Sequence, residues 1–246
     1  MAIQRIEILG VPVDVCSKQD LDTKILQLLE KGEPSQICFI TIWDFLRARR
    51  KNEYAEMIKN ADLILPISKS IVSGARFLNK LSPFRYNPFD VFIAILSVLE
   101  TRYKSFYIFG GRKKALTAAE KNIRATFRGL QIVGRCIGYY QKSDEENIIQ
   151  AISKASPSLV LVSEGIKKKD CWSFSHKNRF STGIFLYYHD AVGILSKRIK
   201  RVNPKTFEKG KEIWEELLRN PLKCFLFFPF MWYIILLVWT KIFKSD

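Results

Sequence analysis

Ser105-Phe106-Tyr107-Ile108-Phe109-Gly110-Gly111, followed by the helical pattern of residues 114–127, reads as a strand, a glycine turn and a helix. Aromatic and β-branched side chains suit a pleated, half-buried surface. The two glycines let the backbone approach a neighbour or a ligand closely, and a helix starting there offers free N–H groups and a positive dipole end. The same alternation recurs on both sides. Upstream, Ile37-Cys38-Phe39-Ile40-Thr41 is a strand candidate with a helical stretch over 44–60. Asp62-Leu63-Ile64-Leu65 is a second strand, stopped by Pro66, with helical periodicity at 70–78 and 89–101. Downstream, residues 130–137, 159–162 and 183–188 supply three more strands, separated by helices over 144–155 and 168–178. The pattern predicts an α/β, Rossmann-like fold: a mainly parallel sheet with helices on both faces, right-handed crossovers, and ligands gathered at the carboxyl ends of the strands. Residues 1–195 form that domain. A basic helical appendage, 196–222, and an apolar tail, 223–246, follow.

Of 246 residues, 40 are Lys or Arg and 24 Asp or Glu, a net charge of +16. Such an excess favours anionic partners: a phospholipid surface, a diphosphate-bearing substrate or nucleic acid. Nucleic acid rests on charge alone and has no recognition element to go with it, so it is not an expected partner. The tail shifts the choice towards lipid. Residues 224–240 are 17 in a row without a formal charge, flanked by Lys223, Lys241 and Lys244 and containing Trp232, Tyr233 and Trp239. As a helix they reach roughly 26 Å, a little short of the ~30 Å hydrocarbon core. No polar stripe interrupts them, so the segment needs cover on every side. A buried terminal helix would provide that; a membrane interface suits the flanking basic and aromatic residues better. Pro229 is expected to bend the helix, which favours shallow insertion over spanning. The N-terminus is too charged for a secretory signal, and the basic residues before the tail place the main domain on the cytoplasmic side of the cell membrane. The cysteines, Cys16, Cys38, Cys136, Cys171 and Cys224, are dispersed and only two histidines are present, His176 and His189. That fits a reducing compartment, and a structural zinc site is not expected.

Several ordered motifs carry a resemblance: Val11-Pro12-Val13-Asp14, residues 61–66 ending in Leu65-Pro66, Phe109-Gly110-Gly111, the run 132–140 with Gly138, Tyr139 and Tyr140, then Gly165 and Trp172. Together they resemble the WecG/TagA/CpsF family of bacterial glycosyltransferases over about residues 8–223. The resemblance implies transfer of a sugar from a UDP-sugar to a lipid-linked, diphosphate-bearing acceptor, without an essential metal or cofactor, by an enzyme held near the bilayer through a basic appendage. Lys197, Arg198, Lys200 and Arg201, then Lys205, Lys209 and Lys211, match that appendage.

The matches are incomplete. The family's Thr-x-Asn is Thr41-Ile42-Trp43, its Pro-Asp-Gly, whose aspartate the resemblance implies as general base, is Pro66-Ile67-Ser68, and its Gly-x-Pro-x-Gln-Glu is Gly165-Ile166-Lys167-Lys168-Lys169-Asp170. The Gly-(Ser/Thr)-Asp motif survives as Pro88-Phe89-Asp90. Thr41 and Asp90 are therefore the expected catalytic residues, and Gly110, Gly111, Gly138, Tyr139 and Lys169 the expected donor-binding ones. Asp44, Glu164, Asp170 and the His189–Asp190 pair are the other possible proton acceptors. Asp44 and Asp90 also suit helix N-caps, and the lysines 167–169 read as opening a helix, a poor place for cations. Two functions stay open: an active transferase with a reworked centre, or a non-catalytic descendant that binds a nucleotide-sugar or a partner at the membrane.

Overall fold

The computed structural model describes residues 3–210 and 227–243; the expected appendage beyond 210, residues 223–226, Cys224 and the last three residues lie outside the described residues. Six strands form one parallel sheet: β3 (Ser35–Ile40), β4 (Leu63–Pro66), β5 (Ser105–Phe109), β6 (Gln131–Cys136), β7 (Leu159–Val162) and β8 (Ile184–Tyr187), in the order β4-β3-β8-β7-β5-β6. The expected α/β class and the parallel sheet hold.

Period-two alternation explains why both faces are covered. Ile37, Leu63, Leu65, Phe106, Ile108, Leu161 and Leu186 face a core built with α1 (Lys18–Glu30), α5 (Pro88–Thr101), α6 (Lys113–Thr126) and α9 (Ala191–Leu195). Cys38, Ile40, Ile64, Phe109, Val160 and Phe185 face the other side. There lie α2 (Ile42–Ala48), α3 (Glu53–Asn60), α4 (Lys69–Phe77), α7 (Glu145–Ala155) and α8 (Cys171–Ser175).

An element absent from the strand reading opens the chain. β1 (Gln4–Ile8) and β2 (Val11–Val15) form an antiparallel hairpin lying against β4, the edge of the main sheet. Asp14, buried, accepts the Ile64 N–H at 2.7 Å and pairs bidentately with Arg5 at 2.7 and 2.9 Å; Arg5 in turn donates to the Ala61 carbonyl. The aspartate thus satisfies an edge N–H that would otherwise invite another chain.

Other boundaries differ from expectation for local reasons. The helix expected over 44–60 is two, because Asn52 caps α3 by accepting from the Ala55 N–H. The helix expected over 168–178 is only α8 and a following single 3₁₀ turn. Lys168 and Lys169 precede it with left-handed φ of 60° and 50°, so these cations do not occupy the first turn of a helix.

The short helix α10 (Pro204–Lys209) begins the appendage, capped by Asn203 with Pro204 in its first turn. The last described helix, α11 (Phe227–Phe243), contains Pro229. No described helix is long and apolar enough to cross a membrane. Instead α11 docks on α2 and α4. Tyr233 is buried against Phe45, donates to the Ser70 carbonyl at 3.0 Å, and sits where Gly74 leaves no room for a Cβ; Lys241 reaches the Phe77 carbonyl at 2.6 Å. Ser70 is near the start of α4 and Phe77 at its end, so α11 runs in the same direction as α4.

Candidate functional site

β3 leads outward to β4, while after β8 the chain turns the other way to α9, which packs on α6. Loops leaving in opposite directions open a crevice between the ends of β3 and β8, the usual ligand position in an open α/β sheet. A cavity of about 540 Å³ lies there, reaching from Thr41 and Asp44 to Asp170, Tyr187 and His189, with Lys200 and Arg201 at its rim.

Thr41 is the N-cap of α2, and Asp44 sits three residues on. They form a capping box, in which the threonine side chain accepts the Asp44 N–H and the carboxylate accepts the Thr41 N–H and hydroxyl. Asp44 is therefore the partner of a cap and not the cap itself. Ser68 Oγ accepts the Ile42 N–H at 2.9 Å, tying the loop after β4 to the start of α2. Ile67 stands between them with no proton-accepting group.

Asp90 does not join Thr41 on this cavity. Asn87 is the N-cap of α5, with Pro88 next, which leaves Asp90 in the first turn. It pairs with Arg201 and lines a neighbouring cavity of about 530 Å³ between α1, α5 and α10. Arg85 spans the wall between the two, donating to the Ile67 and Phe207 carbonyls with its guanidinium 3.8 Å above the Phe207 ring.

Gly110, Gly111, Gly138 and Tyr139 form a separate knot at the ends of β5, β6 and β7. The Gly110 N–H donates to Cys136, Gly111 to Glu164, Gly138 to Gly111 and Tyr139 to Gly165, each at 2.8–2.9 Å. Those four donors are spent on joining loops. The α6 N-terminus beyond them carries Arg112, which lies 5.5 Å from the exposed Tyr139 ring. A Cβ on Gly138 would fall 2.4 Å from the Glu164 carbonyl oxygen and 3.1 Å from Gly165 Cα. Gly138→Ala is expected to cost about 2–3 kcal/mol through backbone overpacking, measured as a lowered urea midpoint with an unchanged slope.

Lys169 is exposed and does not line the β3–β8 cavity; Lys168 is tethered to Glu53 at 2.9 Å. Their neighbour Asp170 does line it. Burial raises its carboxyl above the ordinary range, Arg47 opposes that, and Asp44 adds to it. His189 and Asp190 follow β8 rather than lying in it, both half exposed, with Nε2 and Oδ1 4.0 Å apart. The segment after α9 crosses the carboxyl edge as a strap: Arg198 pairs with buried Glu164 and Arg201 with Asp90. Arg47, Tyr187 and Asn87 were not singled out from sequence. Asn87-Pro88 is, in retrospect, a legible helix start. Among the described residues no three His, Cys, Asp or Glu side chains gather as a metal centre would require.

The arrangement is that of a Rossmann-like α/β protein with a strand-end cavity whose lining includes Lys200 and Arg201. The chain belongs to the glycosyl transferase WecG/TagA/CpsF family, whose model matches residues 6–246. It is 22% identical over 209 residues (85% of this chain and 78% of the relative) to an N-acetylglucosaminyldiphosphoundecaprenol N-acetyl-beta-D-mannosaminyltransferase of Bacillus subtilis (strain 168). A protein of the same description from Bacillus spizizenii (strain ATCC 23059 / NRRL B-14472 / W23) is 22% identical over 177 residues, 72% of this chain and 68% of the relative.

Proposed function

We propose that this protein is a membrane-associated glycosyltransferase that moves a sugar from a UDP-sugar to a lipid-diphosphate-linked acceptor at the cytoplasmic face of the cell membrane. The observation that carries the reading is the β3–β8 cavity, with carboxylates on its wall and cations on its rim, in a chain of this family. Lys200 and Arg201 would meet the donor diphosphate and stabilise the charge on departing UDP. The relatives' names, which specify a diphosphate-linked lipid acceptor, support the acceptor class. No step in this scheme requires a metal or an organic cofactor.

The membrane part rests on α11. Tyr233 and Leu237 face the protein, while Phe228, Trp232, Ile235, Trp239, Ile242 and Phe243 are exposed. A helix docked on one side and apolar on the other suits insertion parallel to the bilayer surface. The net charge of +16 adds attraction to anionic lipid, about 1 kcal/mol for each Lys or Arg near the surface. Vesicle binding should accordingly weaken as salt rises but persist in part, since the apolar contribution is not screened.

The test is to mix the purified full chain with UDP-N-acetylmannosamine and a prenyl-diphosphoryl-N-acetylglucosamine, following UDP release and glycolipid formation. Other UDP-sugars serve as parallel donors. Transfer supports the reading. UDP binding without transfer from any donor favours the non-catalytic alternative, which the aliphatic Ile67 at the crevice motivates. Failure to bind UDP removes the transferase and the nucleotide-sugar-binding alternative, and leaves only a partner-binding role.

A further inference from the structure

Transfer with displacement at the sugar needs a group to take the acceptor's hydroxyl proton, and the geometry separates the groups able to do so. Asp90 pairs with Arg201 and lines the other cavity. Glu164 is buried and held by Arg198 at the β7 loop. One Asp44 oxygen already accepts both the Thr41 N–H and its hydroxyl. His189 and Asp190 are half exposed on the loop after β8.

Asp170 is different. Its side chain is 15% exposed and lies on the cavity wall. Oδ1 accepts the Cys171 N–H at 3.1 Å, and both oxygens are 3.4 Å from Arg47 Nη1. That separation is well beyond the ~2.7–2.9 Å of a strong charge-assisted bond, so Arg47 holds Oδ2 only weakly and that oxygen keeps room to accept from another donor. Arg47 is held where it is by the Tyr54 ring, 4.1 Å from its guanidinium carbon. The groups that face Asp170 are Arg47 and Asp44 from α2, Cys38 from β3, Tyr54 from α3, Tyr187 from β8 and Cys171 from its own helix. Burial, the largest influence, and Asp44 both raise its proton affinity, and Arg47 lowers it. A largely buried carboxylate with one weakly held oxygen facing the cavity is what a general base near neutral pH requires.

On the transferase reading above, we propose that Asp170 is the general base of this chain. Its carboxylate takes the acceptor hydroxyl proton as that oxygen bonds to C1 of the donor sugar. The bond from C1 to the diphosphate oxygen breaks, its electron pair leaves with UDP, and the proton passes from Asp170 to water. The role has moved from the loop after β4, where Ile67 offers nothing, to the loop after β7 on the same cavity.

The experiment compares the full chain with Asp170→Asn and Asp170→Glu, using UDP-N-acetylmannosamine, the prenyl-diphosphoryl-N-acetylglucosamine acceptor and UDP calorimetry. Asp170→Asn is expected to lower kcat by about 10²–10⁴-fold, with UDP affinity and thermal midpoint close to those of the unaltered chain. The acid limb of the unaltered chain's kcat/KM profile, where activity rises as Asp170 ionises, disappears in the Asn variant and returns with Glu. An Asn variant that transfers at the unaltered rate, or keeps the acid limb, overturns the proposal alone. A loss of UDP affinity equal to the loss of rate, or of transfer in Asp170→Glu with its acid limb absent, overturns it also, in favour of a binding or structural role. Absence of transfer by the unaltered chain overturns the transferase reading and this proposal with it.

Discussion

Trp232→Glu combined with Trp239→Glu lowers the partition of the full chain onto anionic vesicles by about a hundredfold or more. Both rings lie on the outer face of α11, more than half exposed, so the substitutions leave the docked face untouched. A tryptophan buries about 150–250 Å² when fully covered. Half of that area at about 25 cal/mol per Å² is roughly 2–3 kcal/mol per residue, and two such losses exceed the ~2.8 kcal/mol of a hundredfold change. The added glutamates also repel anionic headgroups. Co-sedimentation with phosphatidylglycerol-containing vesicles measures the loss, and an unchanged melting curve shows that the fold is intact. Binding that survives both substitutions would rule out α11 as the lipid contact.

Asp14→Ala destabilises the protein by about 3 kcal/mol. The carboxylate is buried and serves two partners, the Ile64 N–H and the Arg5 guanidinium. Removing it strands an edge-strand donor, which costs roughly 1–3 kcal/mol, and leaves a cation unpaired, for which breaking a buried pair costs about 3–5 kcal/mol. Arg5 is 38% exposed and can turn to water, so most of the second cost is recovered and the total stays near the upper end of the first. Denaturant unfolding would show it as a lower midpoint. A second sign should be self-association, because the β4 edge loses the group that occupies it. A shift below 1 kcal/mol would mean that the hairpin covers the edge without the carboxylate.

The main sheet was legible because apolar and β-branched runs alternate with helical periods, and burial on both faces leaves few other solutions. The opening hairpin was not, since Val11-Pro12-Val13-Asp14 is held by an arginine and an edge amide that are distant or featureless in sequence. The capping of α2 was written locally: Thr41-Ile42-Trp43-Asp44 has the spacing of a capping box, and reading Asp44 as the cap missed its partner by three residues. Lys168 and Lys169 defeated the helical reading because tertiary contacts, Lys168 with Glu53 among them, accompany a left-handed backbone that local propensity disfavours. Thr41 and Asp170 fall on one cavity and Asp90 on another; such partitioning depends on which way loops leave the sheet, and one-dimensional spacing does not encode that. The glycines were visible as a cluster, but only the folded loops reveal that their amides are spent on carbonyls of neighbouring strand ends and loops.

Gly74 permits Tyr233 to lie directly on α4, so the greasy helix is clamped to the globular body rather than trailing from it. On a bilayer this makes α11 a keel instead of a leash. On the proposed function, the height and tilt of the crevice above the headgroups would be set by the molecule's own rigidity, and a long prenyl anchor would present its sugar at one depth. Widening Gly74, even to alanine, would then spoil aim before it spoiled adhesion.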